Sequence, residues 1–223
     1  MKNVFSYDSK LMQALMFLGD ICLLNLVYVL CCLPVITIGA AQAGLHTGIR
    51  VLVDPNDDRS PVRAFFRGFR SGFWCITRVF CLVGIGIVLS LYGLILVLVF
   101  QSAGEHAPVW MSAFALFLFA MIQSVASYFH ANFQCSTGQL LKNTFLFLMA
   151  NLPRCLVLTV LIWFPLVVFL LSPLLFLQFG ILFICMYYGM AALAAYYILK
   201  KPTDRLRTRM QEVLDGQKKS EDL

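Results

Sequence analysis

Residues 155–199 read CLVLTVLIWFPLVVFLLSPLLFLQFGILFICMYYGMAALAAYYIL, a run of 45 positions without a charged residue. As one helix at 1.5 Å per residue this stretch would be about 68 Å long. That is more than twice the ~30 Å of hydrocarbon in a bilayer. A helix usually ends before a proline, and Ser172-Pro173 lies in the middle of the stretch. The stretch therefore predicts two transmembrane helices, at about 155–171 and 174–199.

Three further apolar runs are long enough to cross a membrane, at about 11–38, 79–100 and 108–129. The composition agrees, because 61% of the residues are hydrophobic and only 13% are charged, whereas a soluble domain is about 25% charged. We predict an all-α, polytopic integral membrane protein with five transmembrane helices and amphipathic cytosolic helices. Residues 1–200 form a single membrane domain, and residues 201–223 form a cytosolic tail.

The positive charges are distributed unevenly between the two ends of these helices. Of the 17 lysines and arginines, 15 fall in the segments 39–78, 130–154 and 200–223, whereas Lys2 and Lys10 fall on the other side. Positively charged loops stay in the cytoplasm, which predicts an external N-terminus and a cytoplasmic C-terminus. The competing interpretation is a secretory signal cleaved near Ala41-Gln42-Ala43. It is disfavoured because it would leave the six arginines of segment 39–78 outside.

Two cytosolic helices are predicted between the first and second spans. Ala40, Gly44 and Gly48 are spaced by four on the first of them, so that their small side chains share a face and allow close helix packing. Packing within one monomer is favoured over a dimer interface. The second helix begins at Ser60-Pro61, where serine can cap the helix and proline occupies its first position.

This second helix carries an aromatic stripe beside a basic stripe, and residues 61–78 are called the Phe/Arg segment below. The stripes comprise Phe65, Phe66, Phe69 and Phe73 on one face and Arg63, Arg67 and Arg70 on the other. Such segregation is typical of a helix that lies in the membrane interface. The alternative is a docking surface for a cytosolic partner.

Polar residues inside the predicted spans are the candidates for chemistry. Asp20 is the acidic residue within a span, and an intramembrane carboxylate calls for a partner, for which Gln101 and Gln178 lie at comparable depth. In the alternative interpretation, Asp20 reaches water at the outer interface. Asn25 and Gln123 lie deeper, where such residues line a polar path or, more often, hydrogen-bond neighbouring helices.

The motifs of common enzymes are missing from the sequence. It contains no Gly-x-x-x-x-Gly-Lys loop, no Gly-x-Ser-x-Gly elbow and no paired metal-ligand motif. We therefore expect no enzymatic activity, no cofactor and no metal site. The net charge of +6 is interpreted as a topology signal and not as a nucleic-acid footprint. The eight cysteines lie in apolar runs or in predicted cytosolic loops, so no disulfide framework is expected.

Residues 25–39, NLVYVLCCLPVITIG, resemble the signature of the YesL-like family, a group of small bacterial membrane proteins of unknown function. The matching positions are Asn25, Leu26, Leu33, Pro34, Thr37, Ile38 and Gly39. A second family pattern matches Phe65, Phe66, Arg67, Phe69 and Arg70. The sequence departs from the family at Ala40, where proline is usual, and at Gly44-Leu45-His46, where Ala-Leu-Tyr is common.

The resemblance implies a plasma-membrane protein of the Gram-positive type, often encoded beside systems for carbohydrate uptake and degradation, and it assigns no ligand residue. We expect a non-enzymatic accessory component associated with oligosaccharide uptake. Its expected partners are the lipid bilayer and carbohydrate transporter subunits. The alternative is a small stand-alone permease or channel for a polar solute, and the oligomeric state is left open.

Overall fold

The computed structural model describes residues 10–54, 57, 59–100, 107–133 and 135–221. Within these ranges the chain is helical and contains no strand. The α-helices are α1 (Lys10–Cys31), α2 (Ile38–Val53), α3 (Pro61–Phe100), α4 (Ala107–Asn132), α5 (Thr137–Ala150), α6 (Leu152–Leu171), α7 (Pro173–Leu182) and α8 (Tyr188–Glu221). A 3₁₀ turn, Val35–Thr37, precedes α2, and a π turn, Phe183–Tyr187, joins α7 to α8.

Among the described residues, four helical segments are individually long and apolar enough to cross a membrane. They are Lys10–Cys31, Pro61–Gly93, Trp110–Asn132 and Leu152–Phe169. Their outer faces are apolar, as Ile85 and Val88 show by being 63% and 64% exposed. A continuous apolar surface of this kind is stable against lipid and not against water. The predicted all-α, polytopic membrane fold is confirmed.

The fifth predicted span consists of three consecutive elements. α7, the π turn and the first part of α8 follow one another directly after the predicted break, where Ser172 ends α6. Residues 173–199 carry no charge, and a helix of this length reaches about 40 Å. α7 alone has only 10 residues, so that a fifth crossing stays a prediction based on the combined length.

The Phe/Arg segment is not a separate helix. It forms the first half of α3, a 40-residue helix without a break that is about 60 Å long. The segment and the second predicted span therefore belong to one continuous helix, and the two are not separate helices as expected. The position of the segment in the membrane interface stays a prediction.

The predicted boundary between the membrane domain and its tail also falls inside a helix. α8 continues past Leu199, includes Pro202 and extends to Glu221. A proline inside a helix removes one backbone hydrogen bond, but here the helix continues on both sides of it. The tail therefore begins as a helical continuation of the last apolar segment.

α2 is the most deeply buried element, with 12 of its 16 residues buried. Its neighbours are α1, α3, α4 and α8. A Cβ atom added at Gly44 would lie 2.9 Å from the backbone oxygen of Phe65, and one at Gly48 would lie 2.8 Å from the Leu24 side chain. The small-residue face of α2 thus packs against α3 and α1 of the same chain, which confirms the interpretation of close packing within a monomer.

Candidate functional site at the arginine-bearing end of the helices

The four predicted intramembrane polar residues do not form one cluster. Asn25 is fully buried on α1 and Gln123 is buried on α4. Asp20 is half-buried on α1, whereas Gln178 is exposed on α7, and the structure records no hydrogen bond between these two described side chains. Gln101, the other partner expected for Asp20, lies outside the described residues. The structure therefore does not bring the four together into a polar path.

Asn25 connects α1 to the start of α8. Its side-chain oxygen accepts a hydrogen bond of 2.7 Å from the backbone N–H of Gly189. Gly189 follows the π turn, and a π turn disturbs the regular pairing of backbone groups. A Cβ at Gly189 would lie 2.7 Å from Ile21 Cγ2, so that glycine allows the close approach. Asn25 serves here as an interhelical hydrogen-bonding residue.

Gln123 borders an apolar hollow on the membrane-facing side. Both polar atoms of its buried amide lack a hydrogen-bond partner among the described residues. The hollow has a volume of about 590 Å³ and is lined by Val35, Ile36, Phe80 and Trp163, among others. A buried amide without a partner costs stability, so such a group is a place where a polar ligand or a water molecule binds favourably.

A larger concentration of polar groups lies at the arginine-bearing end, where two adjoining clefts share Arg50 and Arg59. The α8 cleft, of about 290 Å³, has a mixed-charge lining that also includes Asp54, Asp57, Lys200, Asp204 and Arg207. The α3 cleft, of about 250 Å³, is lined by Arg50, Arg59, Thr47, Arg67, Gly68, Ser71 and His130, among others.

Arg50 lies in the last turn of α2, between the two clefts. Its side chain is half-buried, and Nη1 donates a hydrogen bond of 3.0 Å to the backbone oxygen of Ala131. Burial lowers the pKa of Arg50, and the nearby Arg207 and Arg59 lower it further. Arginine nevertheless stays charged in proteins. Arg50 is therefore a half-buried cation that lines both clefts. It has no ion-pair partner among the described residues.

Arg59, in contrast, already has a partner. Its Nε donates to Asp57 Oδ1 over 2.6 Å, and Nη2 forms an ion pair with Asp57 Oδ2. The hydrogen bond from Arg59 holds the pKa of the Asp57 carboxyl at about 2. Arg59 is exposed at the rim of the clefts, so that this pair closes the loop after α2 and adds little net charge to the site.

His46 lies behind these clefts on α2. Its ring meets the ring of Tyr128 edge to face, with centroids 5.4 Å apart, and the Tyr128 hydroxyl is 3.2 Å from that of Thr203 on α8. Burial lowers the pKa of His46 to about 4. His46 is therefore neutral at pH 7 and contributes packing between α2 and α4, not charge.

Only some of the aromatic side chains of the Phe/Arg segment are exposed at the surface. Phe65 is completely buried, with its backbone and ring against Gly44. The exposed part, called the α3 aromatic face, is a hollow of about 520 Å³ lined by Phe66, Phe69, Arg70, Phe73 and Trp74. Phe66 is 49% exposed and Trp74 is 71% exposed. Trp74 was not among the predicted residues of this surface, although its position next to Phe73 was a sufficient signal.

The two clefts were not predicted from the sequence. Their residues come from α2, α3, α4, α8 and the loop after α2, and no local motif joins them. The available signal was weak. Between positions 11 and 53 the sequence has only two charged residues, Asp20 and Arg50. A cation in such a run is expected to find a specific environment.

The fold and these sites define the class as a polytopic, all-α membrane protein with a folded polar region at one end. Residues 21–100, about a third of the chain, match the model of a family described as a protein of unknown function, DUF624. YesL-like proteins belong to this family, so the resemblance drawn from the sequence is confirmed over this part of the chain. No curated protein and no solved structure matches the chain.

Proposed function

We propose that this chain is a non-enzymatic accessory component of a carbohydrate uptake system in a bacterial plasma membrane, with its N-terminus outside and its C-terminus in the cytoplasm. It docks onto a transporter subunit through the α3 aromatic face. The observation that carries the docking role is the exposure of Phe66 and Trp74 beside Arg70. The carbohydrate context rests on the family resemblance alone.

The α3 aromatic face has the composition of a protein interface. Aromatic residues and arginine are enriched in interfaces and supply most of the residues that dominate binding energy. The rings also hold one another in place, since the centroids of Phe69 and Phe73 are 5.6 Å apart and those of Phe73 and Trp74 are 5.6 Å apart at 89°. A surface ordered before binding loses less entropy when a partner arrives.

Lipid can cover only a part of this face. If the second crossing begins at Val79, Trp74 lies about 8 Å before it along the helix axis, and Phe66 lies about 20 Å before it. The headgroup region on one side of a bilayer is only about 5–8 Å thick. Trp74 can therefore belong to the interfacial aromatic belt, whereas Phe66 lies beyond the bilayer and is left for a protein partner.

We expect a transporter subunit to co-purify with the chain from native membranes in mild detergent, and Phe66→Ser to weaken this association about 30-fold. A well-buried aromatic anchor contributes about 2 kcal/mol to an interface, which corresponds to that factor. The matched control is Phe145→Ser, because Phe145 on α5 is 53% exposed and lies outside the face. Trp74→Ser should have a smaller effect than Phe66→Ser.

Two results would contradict the proposal. One is that no transporter subunit is recovered and carbohydrate transport is intact after deletion of the chain. The other is that Phe66→Ser and Phe145→Ser co-purify with the subunit equally well.

A stand-alone permease is the second candidate, and the unpartnered amide of Gln123 is the observation that favours it. A permease needs no partner, so it would give solute flux in liposomes that contain this chain alone. Gln123→Leu would then alter the flux, because leucine removes the polar group from the α4 side of the hollow. Absence of flux removes this candidate.

A further inference from the structure

The α3 cleft concentrates positive charge. Three arginines line it, Arg50, Arg59 and Arg67, and no described acidic residue does so. Arg59 is paired with Asp57, so the remaining charge comes from Arg67 and Arg50, neither of which forms an ion pair with a described carboxylate. Asp57 offsets part of the charge of Arg50 at longer range. The neighbouring α8 cleft differs, because its lining includes three aspartates beside its cations. An anion is therefore attracted to the α3 cleft more than to the α8 cleft.

A buried histidine in the same cleft lacks hydrogen-bond partners. His130 on α4 is only 5% exposed, and neither of its ring nitrogens has a partner among the described residues. The ring is held in place by α3, because a Cβ at Gly72 would lie 2.9 Å from His130 Nε2. A neutral imidazole has one N–H donor and one acceptor. Leaving both unpaired is costly unless something in the cleft pairs with them.

The size of the cleft limits what it can hold. Its volume is about 250 Å³, which is below the ~300–1,000 Å³ of pockets for drug-sized molecules and several times the ~30 Å³ of one water. The hydroxyls of Thr47 and Ser71 add polar lining. Guanidinium groups match the oxygens of phosphate in a two-pronged arrangement, and a phosphate monoester carries about −1.5 to −2 charge at pH 7.

We propose that the α3 cleft binds a phosphate group, held by Arg50 and Arg67, with His130 donating a hydrogen bond to one of its oxygens. The phosphate belongs either to the headgroup of an anionic phospholipid or to a soluble phosphate compound. This site uses residues outside the α3 aromatic face, so it stands independently of the docking and transport roles.

The test uses the purified full chain in phosphate-free detergent solution, with radiolabelled inorganic phosphate in equilibrium dialysis as the soluble probe. The second probe is a nanodisc of phosphatidylcholine, with or without phosphatidylglycerol, followed by mass spectrometry of the lipid that stays bound after extraction. A soluble ligand predicts saturable phosphate binding in detergent. A headgroup ligand predicts retention of phosphatidylglycerol over phosphatidylcholine.

For the probe that binds, Arg67→Gln should weaken binding at least tenfold, and Arg50→Gln should do so as well. Arg67 is exposed, so its replacement leaves the fold intact even if Arg50→Gln does not. Arg63→Gln is the matched control, because Arg63 is an exposed arginine on the same helix outside the cleft. His130→Gln keeps a donor and should weaken binding less than His130→Leu. The proposal is overturned if neither probe binds, or if Arg63→Gln weakens binding as much as Arg67→Gln.

Discussion

Replacing Gly44 by valine is expected to remove most of the folded protein. The first added carbon would lie 2.9 Å from the backbone oxygen of Phe65 and 3.2 Å from its ring. A backbone oxygen inside a helix cannot move aside as a flexible side chain can. Overpacking usually costs about 1–3 kcal/mol and occasionally more. We expect a loss at or above the upper end, because α2 and α3 must separate.

The measurement is the monodisperse fraction in size-exclusion chromatography, together with thermal denaturation in detergent. Gly84→Val is the control, since Gly84 also lies inside a helix, α3, and a Cβ there meets nothing within 4 Å. Both variants place a β-branched residue in a helix, so that their difference isolates the contact. Equal stability of the two variants would contradict the packing of α2 on α3. It would favour the alternative interpretation, in which the small-residue face of α2 packs between two copies of the chain.

Asn25→Leu is expected to destabilise the protein by about 1–3 kcal/mol, because it leaves the buried N–H of Gly189 without its acceptor. The side chains are similar in size, so little of the effect comes from lost volume. For a chain of this length each 1 kcal/mol corresponds to about 2–4 °C in Tm. Thermal denaturation in detergent gives the shift directly.

The matched control for this variant is Gln178→Leu, which removes an exposed polar side chain from α7. It should leave Tm unchanged or raise it slightly, since that surface faces lipid in the predicted arrangement. If Asn25→Leu has the same Tm as the unsubstituted chain, the hydrogen bond to Gly189 contributes no stability. Asn25 would then need another explanation, such as a place in a polar path.

The class of fold was predictable from hydropathy because a membrane allows few solutions. A segment that crosses the bilayer must satisfy its own backbone hydrogen bonds, so a long apolar run is a helix. The break at Ser172-Pro173, where α6 ends and α7 begins, followed from the length of the apolar run and from the effect of proline on a helix. The start of α3 at Pro61 followed from local capping chemistry.

The continuity of α3 and α8 was not predictable in this way. Charge marks where a helix leaves the hydrocarbon, at Arg78 and at Lys200, but the backbone has no reason to end the helix there. Arginine and lysine are good helix formers, and Pro202 did not act as a terminator. The Phe/Arg segment was therefore assigned the correct helical form, but its continuity with the span was not predicted.

The partners of the polar residues depend on contacts between distant parts of the chain. Asn25 is a polar residue in an apolar helix, which predicts a hydrogen bond to a neighbouring helix. The sequence did not indicate that the partner is Gly189, because the π turn before Gly189 has no sequence signature. In the same way, Arg50 and His130 meet in one cleft only after α2, α3 and α4 have packed. Pattern analysis along one helix cannot detect such sites.

The proposed function requires the arginine-bearing end to face the cell interior, and cysteine labelling on intact cells tests this directly. Native Cys75 and Cys135 are half-buried, and burial raises the pKa of the Cys135 thiol, which slows its reaction with maleimides. The exposed position Ser60 and position Ser9, which precedes the first predicted span, are better probes, and their replacement leaves every lysine and arginine in place. The unsubstituted chain gives the background from the eight native thiols.

With a membrane-impermeant maleimide, we predict that Ser9→Cys is labelled on intact cells and that Ser60→Cys is labelled only after the membrane is permeabilised. Labelling of Ser60→Cys on intact cells, with Ser9→Cys protected, would contradict the orientation and with it the proposed cytoplasmic docking surface.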